Sequence, residues 1–191
     1  YGKFRAVEYD AADSLSLEDL AQFDREIVVH AAIADALGYK LSIHSGSDKF
    51  SVFAAIGRAT GERFHAKTSG TSWLEAMRLV AQKDPALFRA CYAYAQEVFT
   101  ECRAYYHVST ELSMVPAIET MPDDALPTLL DRVPSRQLLH ITYGKILNHP
   151  ALRAPLFRLW RDCRDAYETL EKNHLARHLA LLCPEHAIAP Q

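Results

Sequence analysis

The sequence predicts an α/β fold built from about four β/α units around a parallel sheet or barrel. Three observations carry this. Two short apolar runs, Leu41–Ile43 and Phe64–Lys67, each run straight into a polar cluster, HSGSDK and TSGTSW, where a helix should start. Helical periodicity returns after each cluster, and strands alternating with helices argue for parallel β/α units. The stretch Gln137–Tyr143 (QLLHITY) has the aromatic and β-branched content of a further strand and ends at Gly144.

Element by element, Tyr1 to Ala12 is too mixed to place, though FRAVE could be extended. Ser14 or Ser16 can cap a helix from Leu17 to Leu37, with Glu18 and Asp19 complementing its dipole. Its apolar stripe is Leu20, Phe23, Ile27, Ala31 and Ala34, and Gly38 ends it. Leu41–His44 is a strand, Asp48 to Arg58 its return helix, and Arg63–Lys67 a second strand with His65 and Lys67 on one face. Thr71 or Ser72 caps a helix whose buried side is Trp73, Met77 and Val80. Pro85 opens another that runs to about Tyr105. Tyr106–Ser109 is a weaker strand. Met114 to Val133, rich in proline, should be short helical pieces and loop, and Ala151 to about Leu182 one long helix.

Composition narrows the function. At 191 residues and 49% hydrophobic, one α/β domain over residues 1–191 is expected. A net charge of −3 with scattered Lys and Arg argues against nucleic acid as a partner. No apolar run approaches the roughly 20 residues of a membrane span, and the first residues lack the order of a signal peptide, so a cytoplasmic protein is expected. Cys91, Cys102, Cys163 and Cys183 are far apart, which suits reduced thiols without chemistry. A complete barrel needs about 250 residues. With Tyr1 in place of a methionine, the chain is expected to be a C-terminal portion of something longer.

The candidate chemistry sits at the strand ends, where loops and helix N-termini converge in parallel folds. His44 precedes Ser45, Gly46, Ser47, Asp48 and Lys49, a loop able to hold an anionic or polyhydroxylated ligand. It lacks the pattern of a phosphate loop, and the plainer reading is a capped turn. His140 occupies the same kind of position. Two strand-end histidines suit a divalent metal that polarises a substrate oxygen, or they are satisfied core residues. Lys67 and Thr68 lie near the same rim, with Lys67 the better substrate contact and His65, one layer deeper, expected in the core. His107 is expected to be a strand residue without function, His174 and His178 surface residues, and Met114, Met121, Tyr92 and Tyr94 packing residues.

Three motifs, YKLSIHSGSDKFSVF (39–53), FHAKTSGTSWLEAMR (64–78) and LLHITYG (138–144), occur in one order that resembles the tagaturonate epimerase family, and NHLARHLALL resembles its C-terminus. The resemblance implies a metal-dependent epimerase on a TIM-barrel-like fold. Such an enzyme interconverts tagaturonate and fructuronate in hexuronate catabolism, and this chain would form the C-terminal half of its barrel. It implies His44 and His140 as ligands of a divalent ion (Zn, Mn, Ni or Fe). Asp48 would be an acid/base group, and Ser45, Ser47, Lys49, Lys67, Thr68 and Tyr143 contacts to a sugar acid. Inversion could follow proton removal from carbon or carbon–carbon cleavage and re-addition. Other readings are a metal-dependent sugar isomerase and a non-catalytic half-barrel that binds a sugar acid or pairs with another copy or with an N-terminal half.

Overall fold

The structure is a computed structural model that describes residues 17–44, 50–106 and 108–183. These residues are mostly helical and contain one two-stranded parallel sheet. The chain divides into two compact units, residues 1–70 with 173–191, and residues 71–172.

The first unit is built on α1 (Leu17–Ala36), β1 (Leu41–His44), α2 (Phe50–Thr60) and β2 (Phe64–Lys67). The predicted stripe of α1 is borne out: Phe23, Ile27, Ala31 and Ala34 are buried and Leu20 half-buried. Val28, Val29 and Ile33 of α1 are exposed, among charged residues such as Asp24, Arg25 and Asp35. The helix stops where predicted. Gly38 adopts φ +70°, its N–H bonds to Asp35 O at 3.2 Å, and Tyr39 N–H reaches Ala34 O at 3.0 Å. These two bonds cap the free carbonyls and need a left-handed residue between them, which glycine supplies without a Cβ clash.

β1 and β2 pair in parallel, with α2 as the crossover, so the predicted strand–helix–strand order is present once. Ile43 meets Val52, Phe53 and Ile56 of α2 and Phe23 and Ile27 of α1 in one small core, which Leu182 completes. Gly57 lies so close to the Leu182 backbone that a Cβ there would overlap its carbonyl oxygen. His178, expected at the surface, is 2% exposed. Its ring packs 5.0 Å from Phe50 and 5.4 Å from Phe53, and its Nδ1 lies 2.8 Å from His174 O. An imidazole whose Nδ1 bonds its own helix can afford an apolar pocket, an option that the spacing of two histidines on a helix does not reveal.

The regular elements of the second unit are all helices among its described residues. α3 (Ser69–Lys83) enters it, followed by α4 (Pro85–Arg103), 3₁₀ segments at Leu112–Met114 and Asp123–Asp131, α5 (Val133–Asn148) and α6 (Pro150–Asp162), and α7 (Arg164–Leu182) leaves it. Pro85 is in the first turn of α4 as predicted, with Asp84 accepting from Leu87 N–H at 2.9 Å. The proline-rich segment forms the short helical pieces expected. The single helix expected after Ala151 is two, divided at Cys163. Leu74, Met77, Phe88, Tyr92, Leu126, Leu129, Leu130, Leu138 and Leu156 make a core at full burial. Among residues expected to pack, Tyr92 does so, while Met114 is 55% exposed.

Two predicted strands are not strands. Gln137–Tyr143 is the middle of α5, and Tyr106, Val108 and Ser109 have no strand geometry; His107 lies outside the described residues. The expectation of about four β/α units is therefore corrected to one strand–helix–strand unit among the described residues. The reason is burial. Residues 135–139 and 141–142 are all buried, so α5 has no polar side to impose a helical period on its sequence. A short run buried all round cannot be told from a buried strand by pattern. Three of its polar members bond inside: Ser135 Oγ bonds Tyr92 Oη at 2.9 Å, Gln137 Oε1 accepts Thr110 N–H at 2.7 Å, and Thr142 Oγ1 donates to Leu138 O at 2.7 Å. Pro134, in the first turn, was the available sign of a helix start.

The largest electrostatic perturbations belong to this packing. Burial pushes the Cys91 thiol up to about 12. Burial likewise raises the Glu75 carboxyl above its ordinary value, against the pull of Arg78, whose Nε lies 2.9 Å from Glu75 Oε2 and whose Nη2 lies 2.8 Å from Asp131 Oδ1. All four cysteines are free, Cys91 and Cys102 buried and Cys163 and Cys183 half-buried.

Candidate active site

The site begins with the two-residue alternation of a strand. Ile43 points into the small core and Leu41, Phe64 and Ala66 pack against it, so Ser42, His44, His65 and Lys67 must all take the other face, where all four are exposed. The parallel register then sets them side by side, Ser42 opposite His65 and His44 opposite Lys67. Neighbouring strands lie about 4.8 Å apart and same-face residues along a strand about 6.6 Å apart, so four polar groups occupy the corners of a small rectangle. Ser42 Oγ and His65 Nδ1 are 2.9 Å apart, a hydrogen bond whose direction depends on the tautomer. In either tautomer the ring is held by Nδ1, and Nε2 is the ring nitrogen outside that bond.

Of the residues singled out in the sequence, His44, Lys67 and Thr68 fall at this end of the sheet. His44 and Lys67 close their strands, and half-buried Thr68 stands between β2 and α3. Ser45, Ser47, Asp48 and Lys49 lie outside the described residues. His65 is corrected from core to exposed face, because the structure buries only one side of this sheet. Ser42 was missed. Its alternation with His44 was the signal that could have found it.

His140 and Tyr143 belong to the second unit, and neither closes a strand. His140 is half-buried in α5. Tyr143, three residues on and 46% exposed, lines an open cleft of about 500 Å³ with Tyr94, Tyr106, Lys145 and His149. The cleft's cation is already paired, Lys145 Nζ lying 2.5 Å from Glu101 Oε1, and Tyr94 stacks on His149 with ring centroids 4.3 Å apart. Burial, and then the neighbouring Tyr143, raises the Tyr106 hydroxyl above its ordinary value.

A metal is the most demanding test of these groups. Imidazoles at a strand end suit a borderline divalent ion, but such a site takes three or four protein donors. Among the described residues no three His, Cys, Asp or Glu side chains stand together in a way that could hold an ion. Of the two expected ligands, His44 lies on this face and His140 belongs to the second unit.

Comparisons with known proteins agree with one another. The family model UxaE, described as tagaturonate epimerase, matches residues 13–182. A protein of Thermotoga maritima named tagaturonate/fructuronate epimerase is 48% identical over 166 residues, 86% of this chain and 34% of that protein. Crystal structures of fructuronate-tagaturonate epimerase UxaE from Cohnella laeviribosi, native and with one glycerol, superpose with a TM-score of 0.82 at 50% identity, covering 85% of this chain and 34% of theirs. This chain thus spans about a third of the length of the relatives it matches, less than the half expected from its sequence.

Proposed function

This chain belongs to the tagaturonate epimerase family, and from that premise we propose that it forms part of an isomerase that interconverts tagaturonate and fructuronate. One observation carries the reading: relatives bearing that activity in their names are 48–50% identical to this chain over 85–86% of its length. The polar face of the β1–β2 pair gives it a place. A TIM-barrel-like setting for this pair, like a cytoplasmic location, is part of the proposal.

The Lys67 ammonium pairs with the carboxylate of the sugar acid, a charge-assisted contact that fixes one end of the substrate. Thr68, with Ser45, Ser47 and Lys49 from the loop after β1, supplies further polar contacts, Tyr143 another, and Asp48 the acid/base group. His44 and His140 are the imidazoles we assign to a divalent ion. When bound, that ion supplies polarisation of the substrate ketone.

The inverted carbon bears a hydroxyl β to the ketone, so its C–H bond is not made acidic by enolisation. Cleavage and re-addition is the route we adopt. Asp48 takes the hydroxyl proton, the carbon–carbon bond between this carbon and the ketone's α-carbon breaks, and its electron pair passes to the α-carbon as an enolate. Rotation of the aldehyde fragment and re-addition to its other face, with the proton returned, gives the epimer.

The test incubates metal-loaded protein with tagaturonate in D₂O, alone and with the unmatched two-thirds of the Thermotoga maritima relative supplied in trans, and follows the sugar by NMR. Fructuronate without deuterium at the inverted carbon is expected, with His44→Ala and His140→Ala losing both conversion and bound metal. No conversion in either arrangement would overturn the reading. An aldose in place of fructuronate would turn it into an isomerase that moves the ketone.

A further inference from the structure

Nothing so far assigns a role to His65, yet it holds the most defined position on the polar face. Resting on the epimerase reading above, we propose that His65, held by Ser42, is a substrate-contacting residue whose Nε2 binds a hydroxyl oxygen of the sugar acid while Lys67 holds its carboxylate.

The first argument concerns the face. Parallel strands are ordinarily covered by apolar residues on both sides. On this pair the uncovered side carries Ser42, His44, His65 and Lys67, with no apolar residue among them. Such a face is suited to polar contacts rather than to packing. A sheet face that merely met water would also have no need to fix an imidazole, but Ser42 fixes this one across the strand pair at 2.9 Å. The bond consumes Nδ1 and leaves Nε2 as the ring nitrogen outside it, on an exposed side chain.

The second argument concerns spacing. His65 and Lys67 are two residues apart on one strand, so their Cα atoms are separated by about 6.6 Å along the face. A six-carbon sugar acid laid along β2 with its carboxylate at Lys67 therefore brings a hydroxyl several carbons away beneath His65. Hydroxyls there are what distinguish a polyhydroxylated acid from a simple carboxylate, so His65 acts on specificity for the sugar chain. Ser42, which touches His65 and not the substrate, is a positioning residue.

Steady-state kinetics on whichever preparation converts tagaturonate will test this, with acetate as a competitive probe of the carboxylate end. His65→Ala should raise KM for tagaturonate about tenfold, the size expected from the loss of one hydrogen bond, and leave the inhibition constant of acetate unchanged. His65→Gln, which keeps a donor, should recover part of the loss, and Ser42→Ala should raise KM about threefold. Lys67→Ala, by contrast, should weaken acetate and tagaturonate together. An unchanged KM in His65→Ala overturns the inference while the epimerase reading stands. So does a parallel loss of acetate in that variant, because His65 would then act only through the shape of the sheet. Absence of conversion in every preparation overturns the epimerase reading and the inference with it.

Discussion

The two units solve opposite problems with similar amino acids. The second unit invests its apolar residues in one closed core, where Phe88, Tyr92, Leu126, Leu129, Leu130 and Leu138 are at 0% exposure and even Ser135, Gln137 and Thr142 are fully buried and hydrogen-bonded. The first unit buries only one side of a two-stranded sheet and leaves the other to Ser42, His44, His65 and Lys67. In the second unit polar groups such as Ser135, Gln137 and Thr142 bond within the fold. In the first they are turned outward by strand alternation, where a ligand can use them. This contrast says that substitutions in the second unit should cost stability, and substitutions on the polar face should cost function.

The largest expected effect is in the second unit. Phe88→Ala removes a ring at 0% exposure whose neighbours include Tyr92, 5.9 Å away between centroids. The cavity should cost about 3–5 kcal/mol, measured as a fall in the urea midpoint without a change in slope. A loss below about 1 kcal/mol would mean that this core is looser than its burial implies and would break the contrast.

Next comes the place where the first unit is tight. An added methyl at Gly57 overlaps the carbonyl oxygen of Leu182, and backbone cannot swing aside as a long side chain can. Gly57→Ala should therefore destabilise by about 1–3 kcal/mol, although helix propensity alone would make it favourable by nearly 1 kcal/mol. A stabilised Gly57→Ala protein would show that the last turn of α7 is not seated as described.

Glu75 sharpens the comparison through pH. Its folded-state pKa is raised, first by burial, so the stability it contributes is present below the ordinary carboxylate range and is lost as the pH rises through the raised folded value. Arg78 offsets part of that loss. Glu75→Gln should remove the loss, so that the variant gains on the parent between pH 4 and pH 7 in paired urea titrations. A variant that falls behind over that interval would mean that the Arg78 pair outweighs burial. No comparable buried carboxylate lies on the polar face of the first unit among its described residues.

How much of this could be seen in the sequence follows the same divide. Where an element has one wet side, its period is written in the residues. The stripe of α1, the parity of β1 and β2 and the proline start of α4 were all legible, and with them the placing of His44 and Lys67 at strand ends. Where an element is enclosed, the period disappears. The middle of α5 reads as a strand because Leu138, Leu139, Ile141 and Thr142 are all buried and leave no wet side, and that reading places His140 and Tyr143 on a sheet that does not contain them. His65 failed for a different reason. Its parity was right, but whether that side of the sheet is covered depends on packing distant in sequence.

The smallest expected change in stability is the most informative about function. Ser42, His44, His65 and Lys67 are all exposed, and the Ser42–His65 bond is an exposed one. An exposed hydrogen bond adds little net stability, so Ser42→Ala, His44→Ala, His65→Ala and Lys67→Ala should each change the unfolding free energy from urea titrations by no more than about 0.5 kcal/mol. The same four proteins should differ in what they bind: Lys67→Ala in carboxylate affinity, His44→Ala in retained metal, and His65→Ala and Ser42→Ala in affinity for the sugar chain. If one of them instead unfolds at a clearly lower midpoint, its side chain is holding β1 to β2, and its effect on substrate can no longer be taken as contact. Unchanged midpoints with divided binding phenotypes are what a face reserved for a ligand requires, because only a group that does little for the fold is free to be specified by the substrate.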